Sequence, residues 1–267
     1  MPLIDFSKIR LICSDIDGTL LRNESELPDY IKREIWRLHG RGIAFTFSTG
    51  RLPYEVDHLF SGIPNDVPYV AGNGAVVKRG NILLSKYHYY AESLKPLVEK
   101  YNDLGVTVIF TLGEQERPYR MTPWTKENIG LFPGLDLPVD ESIWSEPLQR
   151  MFFYHPEGKF LQDCRKDLAL FENEFSVSFQ NRKSIQIAPH GCTKASGVHM
   201  LSKILGFQRD QILCIGDADN DLEMIRYAGI GVAVNNASEE LKRAAKYVTS
   251  LDCAEGVEEV MVNCGRN

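Results

Sequence analysis

The chain has 267 residues, 43% apolar and 25% charged, with a formal charge of -6 and an isoelectric point near 5.6. That composition supplies a globular core of one large domain, or a domain with an insertion, and the acidic balance without a basic stripe argues against a nucleic-acid partner. No apolar run reaches membrane-spanning length, the opening MPLIDFSKIR lacks the apolar stretch of a signal peptide, and six cysteines without a C-x-x-C pair read as reduced thiols of a cytoplasmic protein.

In chain order, RLICSD at 10–15 is a short apolar run suited to a strand covered on both faces. Residues 28–39 place Ile31, Ile35 and Leu38 at helical spacing, with Pro28 at the start and glycines 40 and 42 after the end. IAFTF (43–47) is the next strand, followed by Ser48-Thr49-Gly50-Arg51. A short helix is expected from Pro53, then a strand at 69–72, then a hairpin over 75–85 turning at Arg79-Gly80-Asn81. Between residues 86 and 186 the texture changes. ESLKPLVEKYNDLG reads as a helix and VTVIF as a strand, while five prolines make 112–148 irregular. RMFFYH is a strand, 159–173 a helix, and FSVSFQ and SIQIAP are paired strands around Asn181-Arg182-Lys183. After residue 190 the alternation of strand and helix returns. Thr193 caps a helix over 194–206, QILCIGD is a strand, and NDLEMIRYAG, IGVAV, SEELKRAAK, YVT and GVEEVMV complete the chain. The expected fold is α/β: a doubly wound, mostly parallel, Rossmann-like core formed by 1–85 and 187–267, with an inserted α+β domain at 86–186.

In such sheets ligands collect at the carboxyl ends of the strands. Polar clusters fall there at Asp15/Asp17, Thr49-Gly50-Arg51, Lys194, and GDADND with Asp217, Asp219, Asn220 and Asp221. Crowded carboxylates repel and take up protons unless a cation sits among them, and hard oxygen ligands without His or Cys indicate Mg²⁺. A calcium loop is excluded, because Leu20 and Leu222 stand where an EF-hand loop needs its sixth-position glycine. The simpler reading of Asp217, Asn220 and Asp221 is helix capping, which also suits Asp219. Thr49 could close a turn, and Arg51 and Asn73 either bind substrate or fix loops.

The ordered set DIDGTL, STGR, TKASGVHML and GDADNDLEM resembles the haloacid dehalogenase superfamily. The large insert, GNGA at 72–75 and the tail VTSLDCAEGVEEVM are similar to its Cof-type sugar-phosphate phosphatase branch, with a type IIB cap. The resemblance covers nearly all of the chain outside the insert. It implies that Asp15 is the nucleophile and Asp17 the general acid and base, whose backbone carbonyl also ligates Mg²⁺. It implies that Gly18 allows a sharp turn that brings backbone N–H groups near the phosphoryl oxygens, that Thr49 and the Gly50 amide bind one of those oxygens, and that Lys194 neutralises charge. Asp15, Asp17, Asp217 and Asp221 form the metal set, Asn220 and Asp221 orient metal-bound water and Lys194, and Arg51, Asn73 and Asn220 are assigned to substrate. The implied activity is Mg²⁺-dependent hydrolysis of a small phosphorylated metabolite, a sugar phosphate in this branch, without nucleic acid or membrane. Transfer of the phosphoryl group to a sugar acceptor, or non-catalytic phosphosugar binding, stays open as an alternative.

Overall fold

The computed structural model describes residues 5–22, 25–180 and 182–264, so Asn181 of the expected hairpin tip lies outside the described residues. The chain divides into two compact units, Met1–Lys86 with Thr193–Asn267, and Tyr87–Cys192. The first unit opens with β1 (Leu11–Ser14), α1 (Asp29–His39), β2 (Ala44–Phe47), α2 (Pro53–Val56), β3 (Tyr69–Ala71), β4 (Val76–Arg79) and β5 (Ile82–Lys86). The second contains α3 (Lys95–Asp103), β6 (Thr107–Leu112), β7 (Gln115–Pro118), α4 (Pro123–Glu127), β8 (Arg150–Tyr154), α5 (Leu161–Leu168), β9 (Phe175–Gln180) and β10 (Ser184–Pro189). The chain then returns to the first unit with α6 (Lys194–Leu205), β11 (Ile212–Gly216), α7 (Leu222–Tyr227), β12 (Ile230–Ala233), α8 (Glu239–Ala244), β13 (Tyr247–Val248) and α9 (Cys253–Asn263).

The first unit is built on a parallel sheet in the order β13-β12-β11-β1-β2. β1 lies between β11 and β2, with Leu11 opposite both Ile212 and Ala44, and all four of its residues are buried. That is why its sequence is an unbroken run rather than an alternation. A parallel bridge from Ser48 to Val70 leads on to the antiparallel sheet β3-β4-β5. The β4–β5 hairpin turns at Gly80-Asn81, as the glycine-containing turn predicted, with Gly80 at φ +52. On α1 the predicted residues Ile31, Ile35 and Leu38 are buried, and Arg37 reaches the Met261 and Cys264 carbonyls at the end of α9. Thr193 caps α6 by accepting the Ser196 amide, and the αL residue Gly206 closes the other end.

The second unit is an antiparallel sheet in the order β7-β6-β8-β10-β9. Val108, Phe110, Met151, Phe153, Ile185 and Ile187 pack with Val98 and Tyr101 of α3 and Leu161, Cys164 and Leu168 of α5. Two expectations need correcting here. The stretch 112–148 carries β7, α4 and a 3₁₀ turn over Glu141–Ser145. Its prolines mark element ends: Pro118 closes edge strand β7, where a missing N–H is tolerated, and Pro123 opens α4. The helix expected over 159–173 shortens to α5 with one 3₁₀ turn at Ala169–Phe171. β10 pairs with β8 over Ser184–Ile187 and with β9 over Ser184–Pro189, so the second crossing between units falls after it, at Cys192/Thr193. Among the described residues no helix is long and apolar enough to cross a membrane, and all six cysteines are buried free thiols.

Candidate active site

Every candidate residue belongs to the first unit and follows a strand of it or opens the helix α6. Asp15 and Asp17 follow β1, Thr49, Gly50 and Arg51 follow β2, Asn73 follows β3, and Asp217 follows β11. Because β1 separates β2 from β11, the exits of these three neighbouring strands bring together carboxylates some two hundred residues apart in sequence.

Lys194, the first residue of α6 and only 1% exposed, donates to Asp15 Oδ1 and Asp221 Oδ1 at 2.6 Å each. Asp221 Oδ2 accepts the backbone amides of Asp217 and Ala218, each at 3.0 Å. Close packing at Gly216 makes this possible, since a Cβ there would meet the Asp221 carboxyl at 2.5 Å. Asp217 Oδ1 accepts the Thr19 hydroxyl at 2.8 Å. One carboxylate oxygen from each of Asp15, Asp217 and Asp221 lies within 4.8 Å of the others.

The charges do not balance: three carboxylates face one buried ammonium. Burial, followed by Asp221 and Asp217, pushes the Asp15 carboxyl well above the usual carboxylate range, although Lys194 opposes the shift. Burial and then Asp221 raise Asp217 to about 6 against the opposing Thr19 hydroxyl and Lys194. Burial alone would make Lys194 release its proton more easily, but Asp15 and Asp221 outweigh it and hold the lysine above its ordinary value. Surplus buried negative charge, all on oxygen and without His or Cys, fits a hard divalent cation.

The β1 exit is held from several sides. The Gly18 amide donates to the Leu21 carbonyl at 2.7 Å. The Gly18 carbonyl accepts the Asn236 side-chain amide at 2.8 Å and the Cys253 thiol at 3.3 Å. Gly18 has φ +83, and a Cβ there would stand 2.3 Å from Asp217 Oδ2. The position therefore needs glycine both for its backbone angle and for the space that Asp217 occupies. Asn236 also accepts the Cys253 amide, and the Ser238 amide donates to the Asp217 carbonyl, both at 2.8 Å.

Beside this cluster, Arg51 grips Asp17 at two points, Nε to Oδ2 at 2.9 Å and Nη2 to Oδ1 at 2.6 Å. Thr49 is fully buried, and its hydroxyl accepts the Arg51 amide at 3.1 Å. Asn73, held at φ +51, donates its amide to the Thr49 carbonyl, and its Oδ1 accepts the Asn220 side chain at 3.4 Å. Asp219, expected to cap a helix, instead accepts the Ser238 hydroxyl at 3.0 Å; it opens a 3₁₀ turn over Asp219–Asp221, and Asp221 stands at the N-cap position of α7. Thr19, Asn236, Ser238 and Cys253 were not among the expected residues. Thr19 and Cys253 carried a signal, since they stand inside DIDGTL and VTSLDCAEGVEEVM, but nothing in the sequence marks Asn236 and Ser238.

A profile described as haloacid dehalogenase-like hydrolase matches residues 12–261. The 5-amino-6-(5-phospho-D-ribitylamino)uracil phosphatase YcsE of Bacillus subtilis (strain 168) is 25% identical over 256 residues, 93% of each chain. The HMP-PP phosphatase of Enterobacter sp. (strain 638) is 27% identical over 250 residues, 87% of this chain and 86% of that one. Among solved structures, BT1666 from Bacteroides thetaiotaomicron, from a study of phosphatases of the haloalkanoate superfamily, shares the fold. Its TM-score is 0.81 over 99% of this chain and 98% of its own, at 24% identity.

Proposed function

The chain belongs to the haloacid dehalogenase-like hydrolases, and to their Cof-type branch, and we propose that it hydrolyses a small phosphomonoester, a sugar or sugar-alcohol phosphate, with Mg²⁺ and through an aspartyl-phosphate. The observation that carries this reading is the Lys194–Asp15–Asp221 contact with Asp217 close by, a buried set with more negative charge than its lysine neutralises. The relative whose printed substrate carries a phospho-D-ribityl group supports the substrate class.

On this reading an Asp15 carboxylate oxygen attacks phosphorus and the bond to the leaving oxygen breaks, while Asp17 gives that oxygen a proton. Asp17 then takes a proton from water as the water attacks the phosphorus of the acyl-phosphate. Orthophosphate leaves and Asp15 is regenerated. Lys194 holds the nucleophile in place and offsets charge that builds on the phosphoryl oxygens. The Thr49 hydroxyl and Gly50 amide bind one of those oxygens, and Asn73 and Asn220 line the substrate side of the same strand ends. The metal would be held by Asp15, Asp217 and the Asp17 carbonyl, with Asp221 beside them, and when bound it supplies a positive charge that lets an anionic nucleophile meet an anionic ester. Asp221 acts chiefly through its grip on Lys194 and on the Asp217 and Ala218 amides. The inserted unit is assigned the cap, which selects the leaving group.

The test is a panel of sugar and sugar-alcohol phosphates assayed with Mg²⁺ and with excess chelator, using Asp15→Asn as control. Orthophosphate release that needs Mg²⁺ and vanishes in the variant is expected. Undiminished turnover by Asp15→Asn would refute the covalent route.

A further inference from the structure

Asp17 has to turn one oxygen toward the leaving group, yet both of its oxygens are engaged by the Arg51 guanidinium, at 2.9 and 2.6 Å. The Arg51 side chain is 22% exposed, while that of Asp17 is 61% exposed. The arginine backbone is fixed: its amide donates to Thr49 Oγ1 and its carbonyl accepts the Gly72 amide at 2.7 Å. Only the side chain is left to move, and it springs from the segment whose threonine and glycine are assigned to phosphoryl oxygens. A guanidinium makes the same two-point fit to a phosphoryl edge as to a carboxylate, and a phosphate monoester carries more charge on that edge.

We propose that Arg51 is a positioning residue that is handed from one anion to another. In the resting protein it clamps Asp17. When a phosphate ester binds, the guanidinium moves to the phosphoryl oxygens and frees the Asp17 carboxyl to rotate toward the leaving oxygen. Asp17 and the phosphoryl group therefore compete for one cation, and occupancy of the site is what arms the general acid. The inference rests on the phosphatase reading and deepens it.

The competition can be measured without turnover, by titrating inorganic phosphate calorimetrically into the protein at fixed saturating Mg²⁺. Four proteins are compared: the unaltered chain, Asp17→Ala, Arg51→Ala and the double variant, each checked by circular dichroism. With Arg51 present, Asp17→Ala is expected to tighten phosphate binding about tenfold, and in the Arg51→Ala background to change it less than about twofold. A gain in the Arg51→Ala background as large as or larger than that with Arg51 present, or none in either, would overturn the proposal, because simple charge repulsion from Asp17 persists or grows once its guanidinium partner is gone. Kinetics adds an independent readout on whichever ester the panel identifies. Arg51→Ala is expected to raise KM about tenfold and to leave kcat within about threefold, alike for an alkyl ester and for p-nitrophenyl phosphate. A fall in kcat confined to the alkyl ester would mean that Arg51 aligns Asp17 during the reaction, and that too overturns the hand-over. If no ester is turned over at all, the phosphatase reading fails while the phosphate-binding cycle still reports on the competition.

Discussion

Each unit of the molecule buries an ionic cluster, and the two differ in sum. In the inserted unit, Arg150 Nη2 lies 2.5 Å from Glu116 Oε1, the Glu116 side chain is fully buried, and Thr111 donates to its other oxygen at 2.9 Å. One positive and one negative charge meet between strands β7, β6 and β8, and the Thr111 hydroxyl bonds to both. At the strand ends of the first unit, Asp15, Asp217 and Asp221 gather around the buried Lys194, and two of the acids are held above their ordinary pKa. A closed pair answers to folding alone. An open set, in which among the described residues three carboxylates share one buried ammonium, suits something that arrives from solution.

That contrast can be broken in four places. The largest effect belongs to the open set: on the proposed role of Asp15 as nucleophile, Asp15→Asn should lower turnover by roughly 10⁴-fold or more, with the far-ultraviolet circular dichroism unchanged. In the closed pair, Glu116→Ala should cost about 3–5 kcal/mol of unfolding free energy, because Arg150 is left buried without its carboxylate, whereas the double variant Glu116→Leu/Arg150→Met should recover most of that in urea melts. Adding Mg²⁺ should stabilise the wild-type chain by about 2.7 kcal/mol at a hundred times its dissociation constant, with little effect on Asp217→Asn. A gain of equal size in the variant would move the metal elsewhere.

The smallest effect is in pH, and its sign follows from the direction of the shifts. In the metal-free protein Asp217 titrates near 6 rather than near its unfolded value of about 3.9, so between those values the native state holds more protons than the unfolded one. This contribution is fully present below about pH 4 and is lost as the pH rises through about 6, on the order of 2 kcal/mol. Mg²⁺, which competes with those protons, should bind progressively more weakly below about pH 6. A metal-free stability profile that is flat over this interval, or the same in Asp217→Asn, would remove the surplus charge on which the comparison stands.

The strand ends were legible because their chemistry is dense in sequence: DIDGTL, STGR and GDADND each compress several oxygens into six residues or fewer after an apolar run. The parallel core was legible for the same reason, since buried strands such as LICS and ILCIG tolerate no polar interruption. Contacts made by isolated residues left no trace of that kind. Asn236 reaches Gly18 across 218 positions, and its local sequence differs little from any polar turn. Glu116 and Arg150 are 34 residues apart, and each reads alone as a surface charge; only the pairing of β6 with both β7 and β8 buries them together. Arg51 was recognisable as part of STGR, but the ligand it holds, Asp17, is a fact of three dimensions.

The pairing of Leu11 with Ile212 bears on how the protein is made. β1, which leads to Asp15, is translated roughly two hundred residues before β11, its neighbour on one side. Contacts of such long range are slow to form. Until Ile212 has been translated, the flank of β1 that β11 will cover presents an unpaired edge, apolar except for Ser14. A translational pause before that point should lengthen the interval in which the nascent chain needs a chaperone, and activity should appear only once β11 has docked.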